Sequence, residues 1–262
     1  MKPWIIAHRG ANDEAPENSK SAFDRALRYP IDGMEFDVQM SADKELILHH
    51  DRTLYKITGR LNRVSDLSLQ ELSALSWGTR HSRQFVEEPL LTLRETLARY
   101  APRTRLMIEI KSHKRDRQSE RWSEMTRKVL EELEKPELKN FKNNFFILSF
   151  DPNVLKLAFQ NAPEYKYVLN LSDKPGDPTG YNSILGSPSS ETDHLFAFCA
   201  AVKSLSEPLV EFARKKEKLV MTYVCNSSRQ VARAMSFGVD AIMTDRPGWL
   251  TKFELDHFRP LW

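Results

Sequence analysis

The chain has 262 residues, and its 39 Lys and Arg side chains nearly balance 36 Asp and Glu, which leaves a formal net charge of +3. Hydrophobic residues make up 40% and charged residues 29%, a composition that excludes an intrinsically disordered chain and supplies enough apolar material for a sizeable core. The near balance of charge argues against a nucleic-acid partner.

The first apolar run, Trp4–Ala7, is followed directly by His8 and Arg9. A transmembrane helix needs about 20 apolar residues and a signal peptide a core of about 7–15, so this run predicts neither. We therefore expect no integral membrane segment and a cytoplasmic location. The two cysteines, Cys199 and Cys225, lack the Cys-x-x-Cys spacing of zinc and redox sites and are predicted to be buried thiols within strands.

Short apolar runs rich in β-branched or aromatic residues alternate with helix-like segments, a pattern typical of βα units around a parallel sheet. Eight such runs are present, and eight strands close a (β/α)8 barrel, which occupies about 250 residues as one unit. We therefore expect a single TIM-barrel domain over residues 1–262. The predicted strands are Trp4–His8, Gly33–Val38, Leu106–Ile110, Phe145–Ser149, Tyr165–Leu169, Leu195–Cys199, Leu219–Val224 and Ala241–Thr244.

Helix signals follow several of these strands. Asn18 is predicted to cap a helix over Ser19–Tyr29, and the pair Asp151-Pro152 supplies a cap and a first-turn proline for another. Apolar residues at helical spacing predict two more helices, over Glu207–Lys216 and Ser227–Phe237, and Gly238 stops the second.

The interval from Met40 to Pro102 is too long for an ordinary βα loop. It contains an extended run, Leu46–His49, and helical patterns around Ser68–Leu75 and Thr92–Tyr100. We interpret residues 40–102 as a small cap inserted between strands two and three, over the barrel mouth. Residues 172–193 are rich in Pro and Gly and are predicted to form a loop.

Glu35 and Asp37 lie two residues apart on the second predicted strand, so both carboxylates point to the same face. Two inward carboxylates are costly without a partner, and a hard divalent cation such as Mg²⁺ or Ca²⁺ prefers oxygen ligands. The alternative, an edge strand with a solvated acidic face, is disfavoured by the flanking apolar residues Met34 and Phe36. The sequence therefore predicts a metal site here.

Glu109 and Lys111 repeat this spacing on the third strand. A structural ion pair is one interpretation; the other is a third metal carboxylate beside a cation that holds phosphate. Barrel enzymes keep their active sites at the carboxyl ends of the strands, and two further clusters fall there. His8-Arg9 and His49-His50-Asp51 would add a guanidinium for phosphate and two imidazoles for proton transfer, although a His-Arg pair before a glycine is often structural.

Six motifs in order resemble the glycerophosphodiester phosphodiesterase family, from Ile5 to about Pro247. Each motif alone is weak evidence for the family, but six motifs in the same order are specific to it. The motifs are Ala7-His8-Arg9-Gly10, Ala15-Pro16-Glu17-Asn18-Ser19, Met34-Glu35-Phe36-Asp37-Val38, Leu48-His49-His50-Asp51, Ile108-Glu109-Ile110-Lys111 and Thr244-Asp245-Arg246-Pro247.

The resemblance implies metal-dependent hydrolysis of a small-molecule glycerophosphodiester to sn-glycerol 3-phosphate and an alcohol. Asp51 would orient the second histidine or help to bind metal. Tyr223 stands near a position where the family commonly has tryptophan, and it would replace that indole as an apolar wall for the glycerol. The positions that match the family's functional residues are His8 and His50 for acid/base catalysis, Glu35, Asp37 and Glu109 for the metal, and Arg9 and Lys111 for phosphate.

Two alternatives remain at this point. A phospholipase D that acts on lysophospholipids or sphingomyelin would need an apolar landing surface, to which the end of the chain, Phe258–Trp262, would contribute. A non-catalytic phosphate-binding barrel would be expected to have lost a histidine or a metal carboxylate, and none is lost here. The alcohol, the native cation and the oligomeric state are left open by the sequence.

Overall fold

The computed structural model of the chain describes residues 2–112, 120–172 and 192–253. Within these ranges eight parallel strands close into a barrel, because β1 pairs with β2 on one side and with β9 on the other. The predicted (β/α)8 fold is confirmed. The barrel strands are β1 (Trp4–His8), β2 (Gly33–Met40), β4 (Arg105–Ile110), β5 (Phe145–Ser149), β6 (Lys166–Leu171), β7 (Ala197–Ala201), β8 (Leu219–Tyr223) and β9 (Ala241–Thr244).

Helices lie between the strands and pack against the outside of the barrel. Their buried residues join the outward-facing strand residues in one large apolar cluster, which includes Phe23, Phe36 and Tyr100. The helices around the barrel are α1 (Lys20–Ala26), α4 (Leu93–Tyr100), α5 (Arg121–Leu133), α6 (Pro152–Asn161), α7 (Glu207–Lys215), α8 (Ser228–Ser236) and α9 (Pro247–Leu250), with 3-10 turns at Pro136–Asn144 and Val202–Ser204.

The barrel interior is filled by a second apolar cluster. Because successive strand residues alternate between the two faces, each barrel strand outside β2 sends one or two side chains inward. The filled interior forms a floor, so the polar residues at the carboxyl ends of the strands face the open mouth. The cluster consists of Ile6, Met107, Phe146, Leu148, Val168, Ala197, Cys199, Met221, Ala241 and Met243.

The segment between β2 and α4 forms the predicted insertion. It begins with β3 (Leu46–Leu48), which runs antiparallel to β2 with Val38 opposite Leu48. It has a small core of its own, built around Ile47, Leu72 and Trp77, and the Trp77 indole donates a hydrogen bond to the Leu72 carbonyl. The remaining elements are α2 (Tyr55–Thr58), α3 (Leu69–Ser73) and 3-10 turns at Val64–Asp66 and Arg83–Phe85.

The first helix differs from its prediction at both ends. Ser19, not Asn18, is the N-cap: its side chain accepts a hydrogen bond from the Ala22 amide, while Asn18 has a left-handed φ of 56°. The helix ends at Ala26 instead of Tyr29, because the residue before Pro30 is biased away from helical conformation. Asn18 serves a tertiary contact instead, described below.

Both cysteines are buried free thiols, as predicted, and burial raises the pKa of the Cys225 thiol to about 12. Cys225 lies beyond the end of β8 and not within it, which corrects the predicted strand assignment. Two predictions concern residues outside the described ranges. They are the loop over residues 172–193, of which 173–191 are not described, and the landing surface at Phe258–Trp262. No helix within the described ranges has the length and apolar character that crossing a bilayer requires.

Candidate active site

Three carboxylates meet at the carboxyl end of the barrel, as the sequence predicted. Asp37 on β2 lies opposite Glu109 on β4 in the strand register, and Glu35 points to the same side as Asp37. Oxygens of Glu35, Asp37 and Glu109 lie within 4.8 Å of one another. All three side chains are buried, so the cluster has the geometry of a site for a hard cation.

The electrostatics of the cluster require a positive partner. Burial, together with the neighbouring Asp37 and Glu109, raises the pKa of Glu35 well above its usual range, and burial raises the pKa of Glu109. Burial also acts to raise the pKa of Asp37, but Lys111 and Arg9 outweigh it and hold that pKa well below its usual range. The Oε1 atom of Glu35 is buried without a hydrogen-bond partner among the described residues, which fits a role as a metal ligand.

Two cations lie against this cluster. Lys111 Nζ is 2.7 Å from Asp37 Oδ1 and 2.5 Å from Glu109 Oε1, and Arg9 Nε is 3.0 Å from Asp37 Oδ2. The Arg9 backbone has a left-handed φ of 57° and donates its N–H to the carbonyl of Glu35 at 2.8 Å. Both residues predicted to bind phosphate are therefore next to the carboxylates predicted to bind metal.

His8 ends β1 beside the cluster, with Nε2 3.9 Å from Glu35 Oε2. Its Nδ1 lies 2.6 Å from Oδ1 of Asp245, the residue that follows β9. Two asparagines fix Asp245: Asn12 Nδ2 donates to Oδ1 at 2.7 Å, and Asn226 Nδ2 donates to Oδ2 at 2.6 Å. Burial acts to raise the pKa of Asp245, but the hydrogen bonds from these partners lower it to about 2. A charged Asp245 thus orients the His8 ring.

His50 has an analogous partner on its own loop, since its Nδ1 lies 2.7 Å from Asp51 Oδ1. Burial and the nearby Lys111 cation lower the pKa of His50 to about 4. Asp51 is not a member of the carboxylate cluster, so it is placed to orient His50. His49 instead points into the cap, where its ring packs on Trp77 with centroids 5.6 Å apart.

These residues line one cavity of about 190 Å³ at the barrel mouth. Polar and apolar residues both line it, and the apolar ones come from the carboxyl ends of β5, β8 and β9. Tyr223 lines the cavity; its hydroxyl donates to the Leu171 carbonyl at 3.0 Å and its ring lies edge-on to Phe150. The polar lining residues are His8, Arg9, Glu35, His50, Glu109, Lys111 and Asn170. The apolar lining residues are Leu148, Phe150, Tyr223, Val224 and Met243.

Residues 8–249 match the Glycerophosphoryl diester phosphodiesterase family. The chain belongs to this family. A glycerophosphodiester phosphodiesterase of Caldanaerobacter subterraneus subsp. tengcongensis is 29% identical over 248 residues, covering 94% of this chain and 96% of the relative. One from Bacillus altitudinis is 26% identical, covering 93% and 94%.

Solved structures of the family share the fold. An Oleispira antarctica phosphodiesterase, solved in complex with the product sn-glycerol-3-phosphate, superposes with a TM-score of 0.79 at 21% identity. The superposition covers 96% of each chain. The resemblance identified from six motifs, and the barrel that it implied, are therefore confirmed at the level of family and fold.

Sequence reasoning missed several residues of this family member's site. Asp245 was part of a quoted motif but had no role, and its position directly after the last barrel strand was the available signal. Asn170 was also missed, although a polar residue between Leu169 and Leu171, at the carboxyl end of a strand, could have indicated it. Asn18 was part of the second motif but was assigned only as a helix cap, whereas its Nδ2 donates to Asp37 Oδ2 at 2.8 Å. Asn12 and Asn226 were not identified as partners of Asp245.

Proposed function

We propose that this chain hydrolyses glycerophosphodiesters to sn-glycerol 3-phosphate and an alcohol, with a divalent cation, Mg²⁺ or Ca²⁺. The observation that carries the proposal is the convergence of three carboxylates, two cations and two histidines on one cavity. The sn-glycerol-3-phosphate bound to the Oleispira antarctica relative supports the assignment of that product.

Glu35, Asp37 and Glu109 would hold the cation. When bound, it would polarise a phosphoryl oxygen and offset the negative charge of the transition state, a contribution of several kcal/mol. Three carboxylates serve either Mg²⁺, which retains water ligands in an octahedron, or Ca²⁺, which accepts more oxygens at longer distance. Because the carboxylates now share their charge with Arg9 and Lys111, a cation among them would release both side chains to contact the phosphate.

The two histidines have different surroundings, which suggests different roles. His50, with its pKa lowered to about 4, is neutral at pH 7 and suits the acceptance of a proton from the attacking water. Asp245 balances the charge of a protonated His8, which suits delivery of a proton to the leaving alcohol oxygen. His50 takes up one proton and His8 delivers one, so the net charge of the pair is unchanged by the step. Before the next cycle His50 must release a proton to solvent and His8 must take one up.

The shape of the cavity suits a small polar substrate. A volume of about 190 Å³ accommodates a glycerol phosphate group, with the phosphate towards Arg9 and Lys111 and the carbon chain towards Tyr223 and the other apolar residues. The leaving alcohol would then lie at the open mouth, below the cap.

A lysophospholipase D remains a second candidate, and one observation favours it. Tyr55 and Leu61 on the cap are 55% and 78% exposed, and exposed apolar side chains suit contact with an acyl chain or a lipid surface. Sphingomyelin would demand the same surface. The cavity takes the glycerol phosphate group that soluble glycerophosphodiesters and lysophospholipids share, so it does not distinguish between these two substrates.

The proposal is tested by a panel of glycerophosphocholine, glycerophosphoethanolamine, lysophosphatidylcholine and sphingomyelin, with the phosphorus products followed by ³¹P NMR. We expect the soluble diesters to yield sn-glycerol 3-phosphate. Phosphocholine as the product would contradict the proposal, and turnover restricted to the lipids would favour the second candidate. His8→Ala and His50→Ala serve as inactive references, and His81→Ala, an exposed histidine on the cap, is the matched control that should remain active.

A further inference from the structure

Asn170 lies near the carboxyl end of β6, with its side chain directed into the barrel and 3% exposed. Its Nδ2 donates a hydrogen bond to Glu109 Oε2 at 3.1 Å. Its Oδ1 is buried and has no hydrogen-bond partner among the residues that the structure describes. A buried acceptor without a partner is unfavourable and uncommon in native proteins, so we expect this atom to meet a donor from outside the described residues.

The orientation of the amide follows from its neighbour. If the amide were flipped, Oδ1 would face the carboxylate oxygen of Glu109 and the two acceptors would repel each other. Nδ2 therefore belongs on Glu109, and Oδ1 is the atom left over. Asn170 is one of the residues that line the cavity, so a molecule bound there lies beside its amide group.

We propose that Asn170 is a specificity-determining residue whose Oδ1 accepts a hydrogen bond from a hydroxyl of the substrate's glycerol group. The inference rests on the proposed function, since it assigns the group that selects glycerol within the same site. A phosphate ester oxygen cannot donate a hydrogen bond, but each of the two free hydroxyls of a glycerophosphodiester can. A diester without the corresponding hydroxyl would leave Oδ1 unpaired, and a buried polar group left unpaired discriminates strongly against such an analogue.

The identity of the side chain agrees with this role. An aspartate at position 170 would place a further carboxylate against Glu109, in a cluster that already holds three buried carboxylates. An apolar residue would hold neither Glu109 nor a hydroxyl. Asparagine supplies a donor to the carboxylate and an acceptor to the cavity from one neutral group.

The test compares three phosphocholine diesters: those of glycerol, of propane-1,2-diol and of propane-1,3-diol, where each diol lacks one glycerol hydroxyl. We expect wild type to hydrolyse one of the two analogues with a kcat/KM at least about tenfold below that of glycerophosphocholine. In Asn170→Ala the kcat/KM for glycerophosphocholine should exceed that for the same analogue by no more than about twofold. Asn161→Ala, the same change at an exposed asparagine at the end of α6, is the matched control and should preserve the wild-type ratio.

A loss of kcat/KM by the same factor for all three diesters in Asn170→Ala would overturn the inference, because Asn170 would then only hold Glu109. A binding measurement separates recognition from turnover: calorimetry with sn-glycerol 3-phosphate and the two deoxy phosphates should show the same selectivity in wild type and its loss in Asn170→Ala. Equal affinities in wild type would also overturn it. If wild type hydrolysed no glycerophosphodiester, the proposed function would fail, while calorimetry would still decide the role of Asn170.

Discussion

His8 Nδ1 lies 2.6 Å from Asp245 Oδ1, although the two residues are 237 positions apart in the chain. They meet because β1 and β9 are the strands whose pairing closes the barrel. The carboxylate partner of His8 is thus supplied by the residue that follows the last strand, and complete closure of the barrel is needed to assemble the proposed acid/base site.

Asp245→Asn should lower kcat by about 10²-fold, at the low end of what a general acid or base contributes, because the amide keeps the shape of the carboxylate but not its charge. KM should change little, since Asp245 is not among the residues that line the cavity. Steady-state kinetics with glycerophosphocholine measure both. Asp193→Asn, an exposed aspartate, is the control that should match wild type. A kcat near the wild-type value would remove the orienting role from Asp245.

The same carboxylate should make stability depend on pH. Its pKa is lowered to about 2 from an ordinary value of 3.8, so its contribution to the free energy of unfolding is complete above pH 4 and is lost as the pH falls towards 2. For a side chain that is 26% exposed we expect about 1–2 kcal/mol. Urea unfolding of wild type and Asp245→Asn between pH 7 and pH 3 should show the difference shrinking on acidification; a constant difference would contradict the assignment.

Glu35 should produce the opposite pH dependence when no metal is bound. Its pKa is raised by burial and by Asp37, so its favourable contribution is present below pH 4.5 and is lost as the pH rises through the raised value. Metal-free protein should therefore become less stable from pH 5 to 8, and saturating Mg²⁺ should flatten that slope. Glu35→Gln should raise the melting temperature in chelator and remove the response to Mg²⁺. Thermal unfolding with an unchanged response in this variant would exclude Glu35 as a ligand.

The two histidines can be told apart by the leaving group. His8→Ala and His50→Ala should each cost about 10²–10⁴-fold in kcat on glycerophosphocholine with the fold retained. Because p-nitrophenolate leaves without a proton, His8→Ala should recover most of its activity on the p-nitrophenyl ester of glycerol 3-phosphate, while His50→Ala should not. Recovery in His50→Ala instead would exchange the two roles, and recovery in neither would assign both histidines to steps other than leaving-group protonation.

The carboxylate cluster could be predicted from the sequence because it depends on short-range geometry. Glu35 and Asp37 share a face through the two-residue period of a strand, and strand order brings Glu109 beside Asp37. The eight strands were predictable for the same reason, with bounds that shifted by up to two residues, as at the ends of β2, β6 and β7.

Other features could not be predicted because they depend on distant contacts. Asn18 and Ser19 are both good N-cap residues, and the hydrogen bonds between Asn18 and Asp37 decide which of them caps the helix. The pairing of His8 with Asp245 depends on barrel closure, and the environment of Asn170 depends on Glu109, which lies two strands away in the sheet.

Hydrolysis is expected to depend on a cation held by Glu35, Asp37 and Glu109. Titration of metal-stripped protein with Mg²⁺, Ca²⁺ and Mn²⁺ is the most direct test of this dependence, with glycerophosphocholine followed by ³¹P NMR. We expect no turnover without metal, restoration of sn-glycerol 3-phosphate release on addition of a divalent cation, and little turnover in Asp37→Asn at any concentration. Full activity in the absence of metal, or an Asp37→Asn variant with the metal dependence of wild type, would contradict the site.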